Sequence, residues 1–319
     1  MGDDQNRGSK DVAIGQISAA VAAVLFGTAY VATSIAFRSF TPLGAAMSRG
    51  LLSTLILLPA VAATRQGAAE AVNRSQTWRL IILGLCGGLG FVVSLNLAVS
   101  NAGATLPAFA ASMSPILAAI LAPIVLREAL TVPAVMGFTA AVAGSALLSG
   151  TSSSGADGPG ILFGLLAALC FALFLLLSRR WSRPYQLTGG AIALSIAATT
   201  GLGLLPIELI REPGLLMPAH LRPDAAIALI WLALVPGVLA QLFVVASVRR
   251  VKTRSSAAML LVSPVTAAVL AALLLGETLN GLQLLGAALV LGGTVGAAGL
   301  GAERAGSIAR WFGRPPRKL

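Results

Sequence analysis

The sequence predicts an all-α membrane protein with ten transmembrane helices arranged as two inverted five-helix repeats. Three observations predict it: a scarcity of charge, ten apolar runs each about one bilayer crossing long, and a sequence repeat at a constant offset. Of 319 residues, 57% are hydrophobic and 10% charged, and the mean hydropathy is +0.90. Soluble globular chains carry roughly 25% charged residues. So few charges cannot cover a water-facing surface, so most of this surface faces lipid.

The apolar runs fall at 12–37, 42–64, 79–100, 104–127, 131–150, 159–180, 187–210, 225–248, 254–276 and 279–301. About 20 residues of helix cross a hydrocarbon core. The connectors around residues 100–104 and 126–133 are very short, which makes neighbouring helices antiparallel hairpins. Pro133 suits the first turn of the fifth helix, where a missing N–H costs nothing. The polar start, MGDDQNRGSKD, leads into a retained first span rather than a cleaved signal peptide.

Lys and Arg orient the chain. With the N-terminus inside, 18 of them fall on the inner side and three, Arg38, Arg211 and Arg222, on the outer side; Arg49 lies within a span. This bias places both termini in the cytoplasm and the chain in the inner (plasma) membrane. It also accounts for the net charge of +11 without a nucleic-acid partner, because the basic residues punctuate apolar runs instead of forming a groove. Trp78, Trp181 and Trp231 lie near span ends, where interfacial indoles belong, and the tail IARWFGRPPRKL resembles a basic stretch lying on anionic lipid head groups. Cys86 and Cys170 read as small buried hydrophobes. His220, the sole histidine, is in a loop, so a His-based catalytic or metal constellation is not expected.

A shift of 149 residues aligns SPILAAILAPIVLREALTVPAVMGFTAAVAG with SPVTAAVLAALLLGETLNGLQLLGAALVLGG without a gap. Ser114, Pro115, Glu128, Gly137 and Gly144 fall on Ser263, Pro264, Glu277, Gly286 and Gly293, and Gly15 falls on Gly164. Residues 1–150 and 151–319, the latter with the basic tail, thus form two repeats. Each holds five spans, an odd number, so the halves enter the membrane from opposite sides. Inverted repeats of this kind underlie many alternating-access transporters.

On these residues the chain resembles the EamA-type branch of the drug/metabolite transporter superfamily. The matching pattern is a proline-bearing fourth and ninth helix, then Glu, then a Gly-spaced fifth and tenth helix; Arg49 in AAMSRGLL also fits. The resemblance implies ten helices, duplicated halves, cytoplasmic termini and export of amino acids or other metabolites.

The candidate substrate-binding residues follow from depth and cost. Pro115 and Pro264 lie roughly 15 Å into their spans at 1.5 Å per residue, and matched interruptions in two halves point to a midplane site. Around them stand Ser112, Ser114, Met259 and Ser263. The competing reading is that the prolines kink packed helices and the serines bond their own backbone. Arg49 is an intramembrane charge, costing ~2.5–3.5 kcal/mol on the lenient scale, with no acid expected in a neighbouring apolar run. It suits either a substrate carboxylate or a structural role capping helix ends. Asn96 and Gln241 suit either a pathway or helix-to-helix bonds worth ~1 kcal/mol. Tyr30 and Ser34, with Thr33 and Phe26, give the first span a polar and aromatic stripe, whereas Phe171 and Phe174 read as packing. Glu128 and Glu277 suit hairpin capping more than proton carriage.

The function expected is a secondary transporter of small metabolites, working as a monomer in the lipid bilayer without a cofactor. No phosphate loop followed by Lys occurs, which excludes an ATP-driven pump in this chain alone. A membrane enzyme would need clustered acids or His, and the eleven acids are scattered; a non-transporting helical scaffold is the third class.

Overall fold

A computed structural model describes residues 2–64, 74–102, 113–126, 132–149, 158–211, 220–251, 253–275 and 281–298. The described chain is helical apart from short turns and carries no strand. Helix α1 is Gly2–Ala36, α2 Pro42–Thr64, and α3 runs from Arg74–Gly84 through a π-helical turn, Leu85–Gly90, into Phe91–Ala102. Helices α4, α5, α6 and α7 are Ser114–Leu126, Val132–Ser149, Gly158–Ser182 and Gly189–Arg211. Helix α8 runs from Pro223–Leu234 through a second π-helical turn, Val235–Leu239, into Ala240–Arg250. The last two are α9, in pieces Thr253–Leu260 and Val262–Leu275, and α10, Gly281–Ala298. Among the described residues six helices are long and apolar enough to cross a membrane, and α4, α5, α9 and α10 carry shorter apolar stretches. The chain is a multi-pass membrane protein.

The outward faces are apolar: Leu55, Ile124, Val132, Met136, Ile210 and Leu273 are all strongly exposed. The inside is built largely of small residues. Ala22, Ala23, Ala46 and Ala167 sit fully buried beside Phe174, Leu175 and Val244 in a core drawn from both halves. Lipid offers apolar surface as good as leucine, so helices associate through close backbone approach, which small residues permit. Many hydroxyls bond the carbonyl one turn back, as Ser145 does to Ala141 (3.0 Å) and Thr294 to Val290 (2.7 Å). This satisfies polar groups where no water reaches.

Exchanging the two halves maps the packing onto itself. Helix α1 lies on α8 and α9, and α6 lies on α3 and α4. Helices α2 and α7 pack on each other, as do α5 and α10. This reciprocity is the contact pattern of two like bodies around a two-fold axis. In the α5–α10 seam, a Cβ on Gly144 would stand 2.5 Å from the Gly286 carbonyl oxygen, and one on Gly293 would stand 2.4 Å from that of Gly137. The four glycines of the repeat therefore hold two backbones in direct contact. The π-helical turns obey the same symmetry, since an offset of 149 lays the second over residues 86–90 of the first.

Polar ties close both ends of the bundle. At one end Arg38 Nη1 donates to Asp224 Oδ2 (2.7 Å) and Arg222 Nε to Oδ1 (3.0 Å), joining the turn after α1 to the start of α8. At the other, Arg179 donates to the carbonyls of Val248 (2.9 Å) and Val251, and Arg180 to that of Val125 (3.1 Å). Cations on the last carbonyls of α8 and α4 satisfy groups that a helix end leaves open.

Candidate functional site

A cavity with about 630 Å³ of non-atom space, counted out to its open mouth, lies where the two halves meet. From the first half it is lined by α1 (Phe26, Ala29, Tyr30), α2 (Arg49), α3 (Phe91, Leu95) and α4 (Ser114). From the second half come α6 (Phe171) and α9 (Leu260, Leu261, Ser263, Pro264).

Pro264 shapes the wall. It has no N–H to return to the Leu260 carbonyl, and its ring crowds that oxygen. Helix α9 breaks at Leu261, whose N–H reaches back three residues to the Ala258 carbonyl at 3.0 Å. The break turns Leu260, Leu261 and Ser263 toward the cavity. The matched position in the first half, Ser114–Pro115, begins the described part of α4, with Ser114 in the lining.

Arg49 is 8% exposed and forms no hydrogen bond or ion pair among the described residues. Gly237 in the second π-helical turn lets the neighbouring Ser53 of α2 approach α8 closely. A Cβ there would stand 2.5 Å from the Ser53 hydroxyl oxygen and 3.6 Å from Arg49 Nε. Ser53 itself donates to the Ala233 carbonyl at 2.9 Å, so α2 is pinned to α8 one turn beyond the arginine.

Phe171 is the hub of the aromatic wall. Its ring meets Phe26 edge-on at 5.9 Å, Phe91 at 4.8 Å and Phe174 at 5.7 Å. Offset and edge-to-face pairs of this kind add about 0.5–1.5 kcal/mol each beyond their buried area.

Of the residues singled out from sequence, Tyr30, Arg49, Ser114, Ser263 and Pro264 come together around this cavity. Ser112, Glu128 and Glu277 lie outside the described residues, and Pro115 is described as part of helix α4 alone. The remaining candidates do not line the cavity. Asn96 donates from Nδ2 to the Pro42 carbonyl at 2.7 Å, a tie from α3 to the start of α2. Gln241 is fully buried in α8, its amide oxygen unpaired among the described residues. Met259 packs with Phe138, Ala141 and Val290, against α5 and α10. Ser34 is exposed and bonds the Tyr30 carbonyl at 3.2 Å.

Sequence reasoning passed over Phe91, Leu95, Leu260 and Leu261, and read Phe171 as packing. It also expected no acid in a neighbouring run. Glu208, near the end of α7, is buried beside the first turn of α2, its Oε2 3.9 Å from where a Cβ on Gly44 would stand. It does not pair with Arg49. The two cysteines are free and partly buried, packed against the main core.

A second concavity sits by the ends of α3 and α6, around Arg79. The Arg79 guanidinium stacks 3.3 Å from the Tyr185 ring centroid and 4.2 Å from that of Trp78, with Trp181 edge-on to Trp78 at 5.3 Å. Arg79 also donates to the hydroxyl and carbonyl of Ser75, one turn back.

These features define a multi-span helical membrane protein with a cavity between two like halves. The chain belongs to the EamA-like transporter family, which matches residues 13–150 and again 158–298. It is similar to Protein PecM of Dickeya dadantii (strain 3937), 26% identical over 263 residues, 82% of this chain and 84% of that protein. A solved crystal structure shares the fold with a TM-score of 0.73 at 20% identity, over 90% of this chain and 98% of that one.

Proposed function

We propose that the chain is a secondary transporter that exports small metabolites, amino acids or related compounds, by alternating access. The observation that carries this is the position of the cavity: both proline-bearing helices and both halves contribute to it. In this reading ten helices span the bilayer in two inverted five-helix repeats, 1–150 and 151–319, with both termini cytoplasmic. The reciprocal packing supports it, because two related bodies around one axis give two related conformations, open to opposite sides. Family membership argues for transport over catalysis.

Purified full-length protein in liposomes tests the proposal. Uptake of labelled amino acids is expected to saturate and to be competed by unlabelled substrate. Flux equal to that of empty liposomes across a broad metabolite panel would sink it. Ser114→Phe and Ser263→Phe are expected to block flux without lowering expression; unchanged flux in both would remove the cavity from the pathway.

A further inference from the structure

We propose that the cavity selects organic anions, compounds with a carboxylate head and an apolar or aromatic body. The inference rests on the transport reading for what the binding is for but narrows its cargo, ranking zwitterionic amino acids below simple carboxylates among the related compounds; its own basis is the balance of groups around the cavity. Arg49 is buried, unpaired and in the lining. A guanidinium presents donors and no acceptor, in a planar fork that matches a carboxylate bidentately. Among the described residues no acid shares the lining with it. Glu208, the buried acid in the neighbourhood, stands back at the first turn of α2. From Gly44 to Arg49 is five residues, roughly 7.5 Å along a helix.

An ammonium entering this cavity therefore meets like charge, while a carboxylate meets its complement. The two hydroxyls that remain open in the lining, Tyr30 Oη and Ser263 Oγ, form no hydrogen bond within the described chain and are available to a ligand. The rest of the lining sets the body of the ligand. Phe26, Phe91, Phe171 and Leu95 offer ring faces and aliphatic surface, which suit a phenyl or branched aliphatic group. A dianionic head is a poorer match, since one guanidinium leaves the second charge buried and uncompensated. The arginine thus gives the site one head group, one charge and one polarity of ligand.

Three compounds that share a phenyl ring and a two-carbon spacer separate the charges: phenylpropanoate (anion), phenylalanine (zwitterion) and phenylethylamine (cation). Binding to the purified full chain in detergent is read by calorimetry and by the thermal shift each compound produces. Phenylpropanoate is expected to bind at least about tenfold more tightly than phenylethylamine, with phenylalanine between them, as one charge-assisted contact gives or withholds. Arg49→Met is expected to remove that preference, and Arg49→Lys to restore part of it, because a lysine keeps the charge and loses the fork. The proposal falls if the cation binds as tightly as the anion, if the zwitterion binds more tightly than the anion, if none of the three binds, or if a folded Arg49→Met keeps the preference. The comparison within the unmutated protein decides the matter even where a variant fails to fold. Anion binding without flux in liposomes would count against transport and leave the ligand class standing; flux with no anion preference would do the reverse.

Discussion

Two arginines inside the helical body are treated in opposite ways. Arg79 is held by its own surroundings through the ring faces of Tyr185 and Trp78 and the hydroxyl and carbonyl of Ser75, with its Nε buried and without an acceptor among the described residues. Arg49 has nothing comparable, and it borders a cavity instead of filling one. A charge held by ring faces and acceptors, even with one donor left over, contributes to the fold. A buried charge without partners costs stability, and such a cost is characteristic of sites that take a ligand. The contrast separates the structural arginine from the candidate functional one by the chemistry around each.

The sharpest way to break that contrast is to remove both charges separately. Arg49→Met is expected to lower flux at least about tenfold while the ligand-free protein melts higher, since an uncompensated buried cation is replaced by an apolar chain of similar length. Flux assays and a thermal melt of the same preparation check both halves of this expectation. Arg79→Gln is expected to do the opposite: flux per folded molecule stays, and stability drops by about 1–2 kcal/mol from lost stacking and charged hydrogen bonding. If the two variants behaved alike, the distinction would be wrong.

Smaller effects sharpen it. Adding Trp78→Ala to Arg79→Gln should show a coupling of about 0.5–1 kcal/mol in a double-mutant cycle, reporting the cation–π contact itself. Ser263→Ala should raise the apparent KM only a few-fold with kcat kept, the loss of one neutral hydrogen bond. A fall in kcat alone would move Ser263 from binding to the conformational step.

The fold was legible because its signals are global. Scarce charge, ten apolar runs and an ungapped repeat survive any uncertainty about single residues. The polar part of the cavity was legible for a related reason: a charge or hydroxyl deep in an apolar helix has few places to go. The apolar part was not. Phe91 and Leu95 look like any other apolar residues of α3, and the sequence carries no mark of which face looks inward. Asn96 shows the limit on the polar side, because an amide within a span can satisfy itself on a neighbouring backbone, here the Pro42 carbonyl. Glu208 was overlooked although it lies within the seventh apolar run; in the structure it is buried beside the first turn of α2.

The glycine seam between α5 and α10 carries a consequence for how this protein tolerates change. As where α2 crosses α7 at Gly50 and Gly201, the obstacle in this seam is backbone rather than a side chain that can rotate aside. At Gly144 and Gly293 even a single methyl meets backbone nitrogen or carbonyl oxygen at 2.4–2.7 Å. No conservative replacement exists there, because the obstacle has no rotamers. In a library of all single substitutions scored for folded yield, these two positions should reject alanine almost as firmly as leucine, while outward-facing sites such as Leu273 accept nearly any apolar residue. Tolerance along α5 and α10 would then trace the line where one half of the molecule rests on the other.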